Sequence, residues 1–262
     1  MYLGEFMERL QKASVCLHHK ITWALVLIVF SWTVQGYGVQ NKGETVILLH
    51  GIMNHPIMMG CIERGLKRQG YEVINWGYPS SRRTVQEHAQ ELHKIVKSID
   101  HDQTIHFVGF SLGSIVIRYY LTHYPVNNIN RFVMIAPPNH GSEMVNHLYP
   151  YKWFQWLYGT KSVWQLSTRD QRFFEECGIP PVEFGIIAGG RNDNEGHNSI
   201  LLGDDDGTVC VESAKLEGSK DFIVLNHRHT LLLFAQETLD NVVSFLKAGT
   251  FQHSAQKVGS QS

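Results

Sequence analysis

The segment TIHFVGFSLGSIVIRYYL, Thr104–Leu121, is apolar on both sides of a central serine, and Ser111 stands between Gly109 and Gly113. A short apolar run that ends at glycine reads as a buried strand. The run after it reads as a helix over Leu112–Tyr124, stopped at Pro125, which cannot continue it. A strand and a helix that are both apolar, joined by a tight turn, must be buried together. That points to folds in which helices cover a parallel sheet.

The rest of the chain repeats this alternation. Further strands are predicted at Glu44–Gly51, Tyr71–Pro79, Arg131–Pro138, Glu183–Gly190 and Asp221–Asn226. Helices are predicted at Ile57–Gln69, Thr84–Ile99 and Leu231–Leu246. In the second of these, Val85, Ala89, Leu92, Val96 and Ile99 share one face, and Glu87 and Glu91 precede Lys94 and Lys97, as the helix dipole favours. The expectation is an α/β fold with a mostly parallel central sheet and helices on both faces. One domain spans residues 43–247, and residues 248–262 form a polar, flexible tail. Residues 139–181 are too many for a simple connection. They carry Tyr149, Tyr151, Trp153, Phe154, Trp156, Tyr158 and Trp164, and are read as a helical, lid-like insertion. Together these aromatics suggest an apolar cavity or a lid.

Lys and Arg number 23 and Asp and Glu 24, with no basic block, which argues against a nucleic-acid partner. The fifteen histidines are scattered, and Cys16, Cys61, Cys177 and Cys210 show no zinc-ligand spacing. With the N-terminus removed, three cysteines remain and at most one disulfide can close. Ile21–Val34 is uncharged, 14 residues long, and preceded by Arg9, Lys12 and Lys20. It is short against the ~20 residues of a membrane-spanning helix and matches the apolar core of a secretory signal. Gly36 and Gly38 have the small-residue spacing that a signal peptidase accepts. Residues 1–38 are therefore read as a cleaved signal, which implies a periplasmic or secreted protein. The alternative is an uncleaved membrane anchor, with Trp23 and Trp32 at the interfaces.

In this context Gly-Phe-Ser-Leu-Gly reads as a nucleophile elbow, a sharp strand-to-helix turn that lifts a serine hydroxyl above the carboxyl end of the sheet. A serine hydroxyl is a weak nucleophile and needs a base, which in turn needs an orienting acid. Both are expected later in the chain, in the order serine, acid, histidine. LLGDDDGTV follows the fifth strand and LNHRHTLLLF follows the sixth. Asp206, before Gly207, is the first choice for the acid, Asp205 the runner-up and Asp204 third. A calcium role with Asp193 or Glu195 is conceivable, but the spacing of a calcium loop is absent. His229 is preferred over His227 as the base. The oxyanion amides are expected at Leu112, directly after the serine, and at Ile52, after the first strand. His50 is read as stabilising that loop by hydrogen bonding.

The stretches LLHGI, GFSLGSIVIRYYL, IAPPNHGS, DDDGTV and the late HT resemble, in order and spacing, the landmarks of the α/β-hydrolase superfamily, and within it bacterial lipases and esterases. The resemblance covers Glu44 to about Leu246. It implies an α/β-hydrolase fold and cleavage of carboxylic esters, including acylglycerols, with no cofactor and no metal. Carried over by motif, Ser111 is the nucleophile, His229 the base, Asp206 the acid, and Ile52 and Leu112 the oxyanion amides, while His140 and Ser142 are structural. The implied partner is a small-molecule ester or lipid, with peripheral membrane contact or the N-terminal anchor as a further expectation. An acyltransferase, thioesterase or amidase would use the same triad, and a non-catalytic binding protein could keep the fold. Met144, Val145 and Leu148 in the insertion suggest an apolar acyl group.

Overall fold

The computed structural model describes residues 43–124 and 127–253; the expected signal or anchor segment lies outside them. Among the described residues no helix is long and apolar enough to cross a membrane.

Each predicted strand is an apolar run that pairs in parallel with its neighbours. The strands are β1 (Glu44–Leu49), β2 (Glu72–Trp76), β3 (Thr104–Phe110), β4 (Ile129–Ile135), β5 (Glu183–Gly189) and β6 (Asp221–Leu225). They form one six-stranded sheet in the order β2-β1-β3-β4-β5-β6, parallel at every pairing. Side chains alternate between its faces. Ile47, Leu49 and Phe107 enter one core with Val85, Ala89 and Leu92 of α2 (Val85–Lys97) and Ile115 and Tyr119 of α3 (Leu112–His123). Val46, Leu48, Val108 and Phe110 enter the other, with Ile62 and Leu66 of α1 (Gly60–Arg68) and Val242 and Phe245 of the last helix. Both faces are therefore covered, as the unbroken apolar strands require. At the start of α2 the Thr84 amide donates to the Glu87 carboxylate at 2.7 Å and the Glu87 amide to Thr84 Oγ1 at 3.2 Å. This reciprocal cap sets the boundary one residue later than the helix predicted from Thr84.

Residues 139–181 hold four short helices, α4 (Glu143–Leu148), α5 (Lys152–Tyr158), α6 (Lys161–Gln165) and α7 (Gln171–Glu176). Their two ends meet at one side chain. Buried Arg118 on α3 donates to the carbonyls of Asn139 at 2.9 Å, Phe174 at 2.9 Å and Gly178 at 2.7 Å. Burial lowers its pKa from the ordinary guanidinium value.

Beyond β5 come α8 (Val211–Ala214), β6, and a segment that departs from expectation. Leu231–Leu246 is not one helix: His229–Phe234 is a 3₁₀ turn, and α9 runs from Gln236 to Ala248. Ile57–Gln69 is likewise a 3₁₀ turn at Pro56–Met59 followed by α1. The tail is also less loose at its start than its polarity suggests. Phe251 packs on Phe245 with ring centroids 5.1 Å apart, and its amide donates to Asp221 Oδ2 at 2.6 Å. One apolar anchor thus ties down the first residues after α9.

Candidate active site

Ser111 sits between β3 and α3 at φ 52° and ψ −121°. Such a backbone costs about 1–3 kcal/mol and persists only where neighbours over-determine it. Here the Ser111 amide donates to the Ile135 carbonyl at 2.9 Å, the Ser114 amide to the Ser111 carbonyl at 2.9 Å, and Ser114 Oγ to the Gly109 carbonyl at 2.8 Å. The flanking glycines are steric requirements. A Cβ at Gly109 would meet the Ser114 backbone at 2.6 Å, and one at Gly113 would run into the Leu49 and His50 carbonyls.

The later loops converge on this turn at the carboxyl edge of the sheet. Ser111 Oγ lies 3.0 Å from His229 Nε2, and His229 Nδ1 lies 2.6 Å from Asp206 Oδ2. A carboxylate can only accept, so Nδ1–H donates to Asp206 and Nε2 is left to accept the serine proton. Asp206 is 1% exposed, and its other oxygen accepts the amides of Thr208 at 2.9 Å and Val209 at 2.8 Å. Phe110 packs against the His229 ring at a centroid distance of 4.9 Å.

The three aspartates divide the loop between them. Asp204 accepts the amides of Arg191 and Asn192 at 2.6 and 2.8 Å. Asp205 accepts the amides of Gly207 at 2.5 Å and Asn198 at 3.3 Å, and burial pushes its carboxyl up. Asp193 accepts the amides of Glu195 and Gly196. These carboxylates shape their own loop, and among the described residues no group of three or more His, Cys, Asp or Glu is placed to hold a metal ion. His227 lies outside the convergence, 3.7 Å from Glu237.

His50 Nδ1 donates to the Gly51 carbonyl at 2.8 Å, and the ring stacks on Tyr78 at 4.4 Å. No backbone carbonyl among the described residues accepts from the Ile52 or Leu112 amide. His55 caps the 3₁₀ turn at Pro56–Met59 through the Ile57 amide. His140 is tied by its amide to the Ser213 carbonyl, and Ser142 Oγ donates to the Thr208 carbonyl at 2.7 Å. Cys61, Cys177 and Cys210 are free thiols, and burial pushes those of Cys177 and Cys210 up, to about 12 and about 11.

Above Ser111 and His229 opens a cavity of about 410 Å³, within the usual range for a ligand site. The insertion supplies much of its apolar wall. Met144, Val145 and Leu148 of α4 line it, as do Phe154, Tyr158, Val163 and Leu166. The aromatics do not act as one group. Phe154 and Tyr158 face the cavity, Trp164 packs on Tyr149 at 4.9 Å, and Tyr151, Trp153 and Trp156 point to solvent. The 3.6-residue helical period explains the division: Phe154 and Tyr158 are four apart on one side of α5, with Trp153 and Trp156 on another.

The same architecture occurs in solved structures of low sequence identity. A Bacillus licheniformis lipase in its mature form is 18% identical, with a TM-score of 0.62 over 78% of this chain and 90% of that one. A metagenomic carboxyl esterase is 18% identical, with a TM-score of 0.61 over 74% and 67%. A Listeria innocua protein is 16% identical, with a TM-score of 0.57 over 81% and 96%. At these identities the likeness is one of fold, the α/β-hydrolase fold. No curated protein matches the chain. Residues 45–176, just over half of the sequence, match the family model for palmitoyl protein thioesterase. On that match the chain belongs to the palmitoyl protein thioesterase family, within the α/β-hydrolases of esterase, lipase and thioesterase type.

Proposed function

We propose that this protein hydrolyses acyl esters through an acyl-enzyme formed on Ser111. The observation that carries the reading is the unbroken hydrogen-bonded series Ser111–His229–Asp206 at the floor of an apolar cavity. His229 takes the serine proton as Oγ attacks the carbonyl carbon. The amides of Ile52 and Leu112 hold the oxyanion. As the tetrahedral intermediate collapses, His229 returns the proton to the leaving alcohol or thiol. Water, deprotonated by the same imidazole, then releases the acid and regenerates Ser111.

The acyl chain lies against Val145, Leu148, Phe154 and Leu166, with the insertion as a lid-like roof. Cleavage of a thioester rather than an oxyester is the second reading, and the family match favours it. Exposed Tyr151 and Trp153, and Trp156 at 86% exposure, support peripheral contact with a lipid surface. Export rests on the apolar segment Ile21–Val34.

The test is covalent labelling with a fluorophosphonate, followed by turnover of matched oxyesters and thioesters of one acyl chain. Label on Ser111, and its loss with turnover in Ser111→Ala, is the expected result. Unlabelled native protein would make the chain a binding module of the same fold. Transfer to an added alcohol in preference to water would make it an acyltransferase.

A further inference from the structure

Three peptide planes run from His50 to Met53, and the middle one carries the Ile52 N–H. A trans peptide is planar with its C=O and N–H opposed, so whatever fixes the Gly51 carbonyl aims the Ile52 N–H the other way. His50 Nδ1 and the Asn54 amide hold that carbonyl at 2.8 and 3.3 Å. The loop lies directly against the serine: a Cβ on Gly51 would sit 3.1 Å from Ser111 Cβ.

The planes on either side are held by the segment that follows β2. Tyr78 Oη donates to the His50 carbonyl at 2.6 Å, and Ser80 Oγ accepts from the Met53 amide at 3.1 Å. Met53 has φ 55°, the left-handed region that a residue with a Cβ adopts only under constraint. Its amide bond to Ser80 is such a constraint. Ser80 is itself buried and tied to the insertion, since buried Ser162 on α6 donates to its carbonyl at 2.7 Å. Ser162 has one proton and a second carbonyl, that of Arg83, in reach. The neighbouring Val163 and Leu166 line the cavity.

We propose that Ser80 is a positioning residue for the Ile52 amide, and that Ser162 ties it to the insertion that roofs the cavity. This rests on the hydrolase reading above. Ser80 touches no reacting atom. It holds Met53 in its left-handed conformation, and so holds the Ile52 N–H on the oxyanion. Losing an oxyanion donor outright costs about 10²–10³-fold, and a displaced donor costs less.

The experiment compares native protein with Ser80→Ala, Ser80→Thr and Ser162→Ala, using a p-nitrophenyl acyl ester, a fluorophosphonate and a thermal melt. Ser80→Ala is expected to lower kcat roughly 10-fold with KM unchanged, and to slow phosphonylation of Ser111 in parallel. Ser80→Thr, which keeps a hydroxyl, restores most of the rate. Ser162→Ala gives a smaller loss of the same pattern. Unchanged kcat in a folded Ser80→Ala, a rise in KM alone, or no rescue by threonine would overturn the proposal while leaving the hydrolase reading intact. Native protein that never labels at Ser111 overturns both. If Ser80→Ala does not fold, Ser162→Ala decides: a kcat loss with KM unchanged supports the coupling, and native kinetics refute it.

Discussion

Asp206 holds His229 twice: its carbonyl accepts the His229 amide at 2.8 Å, and its carboxylate accepts Nδ1 at 2.6 Å. The first bond belongs to the main chain and does not use the carboxylate. Asp206→Asn should therefore keep the histidine in place while disturbing its tautomer. The expected result is a fall in kcat of about 10⁴-fold with a melting temperature within a few degrees of native. Steady-state kinetics and a thermal melt on one preparation check it.

The cavity wall predicts acyl-length selectivity. Val145 and Val163 line it, and a Trp at either position fills volume that a long chain would occupy. Val163→Trp should spare acetyl and butyryl esters and lower kcat/KM for long chains at least 10-fold, since each methylene excluded from an apolar pocket is worth about 1–3 kcal/mol. A kcat/KM series against chain length reads this directly; a uniform loss at all lengths would place the acyl chain elsewhere.

Steric closure at the turn predicts that Gly113→Ala is a folding defect first. The new methyl would press on the Leu49 and His50 carbonyls, backbone atoms that cannot rotate away. The expected cost is about 1–3 kcal/mol or more, visible as a lower urea midpoint before any kinetic assay. A native midpoint would mean that β1 and α3 can separate at this point.

Two buried histidines make stability depend on acid. Burial holds His88 and His106 at about 4, against an ordinary value of 6.5. It does so although Glu87 neighbours His88 and Glu44 lies 3.6 Å from His106, while the charges of Arg83 and Arg131 add to the lowering. In the unfolded chain each takes up a proton near pH 6.5. Between about pH 6.5 and 4 the unfolded state thus binds more protons, and stability falls by up to about 1.4 kcal/mol per pH unit for each histidine. Below about 4 both states are protonated and this loss levels off. Urea midpoints at pH 7, 6, 5 and 4 measure the slope, and His88→Phe should flatten part of it.

Much of this was open to a reader of the residues alone, for physical reasons that differ from place to place. All six strands are apolar runs bounded by glycine, proline or polar residues, so their existence was plain while their ends moved by a few residues. Motif and chain order agreed on Ser111 and His229, which lie 3.0 Å apart in the structure. Among Asp204, Asp205 and Asp206, only the following Gly207 hinted at the choice; in the structure Asp206 is the one that meets His229 Nδ1. The run Leu231–Phe234 looked like the start of the last helix because LLLF is apolar. The His229 amide is instead committed to Asp206, a long-range tie that no local periodicity reports. Tyr78 and Ser80 were not visible at all. Their partners, His50 and Met53, lie 28 and 27 residues away, and neither side chain belongs to a motif. The resemblance to lipases and esterases pointed to the right superfamily, and the narrower thioesterase family stood only among the alternatives.

Arg118 gathers the beginning and the end of the insertion onto a single side chain, on the helix that starts beside Ser111. The roof of the cavity is thus attached to the molecule much as a handle is attached at its base. What lies between Asn139 and Phe174 is held at both ends by the helix that follows the Ser111 turn. The cavity wall and the loop beside Ser111 are also joined across the molecule: through Ser162 and Ser80 a change in the one is transmitted to the other.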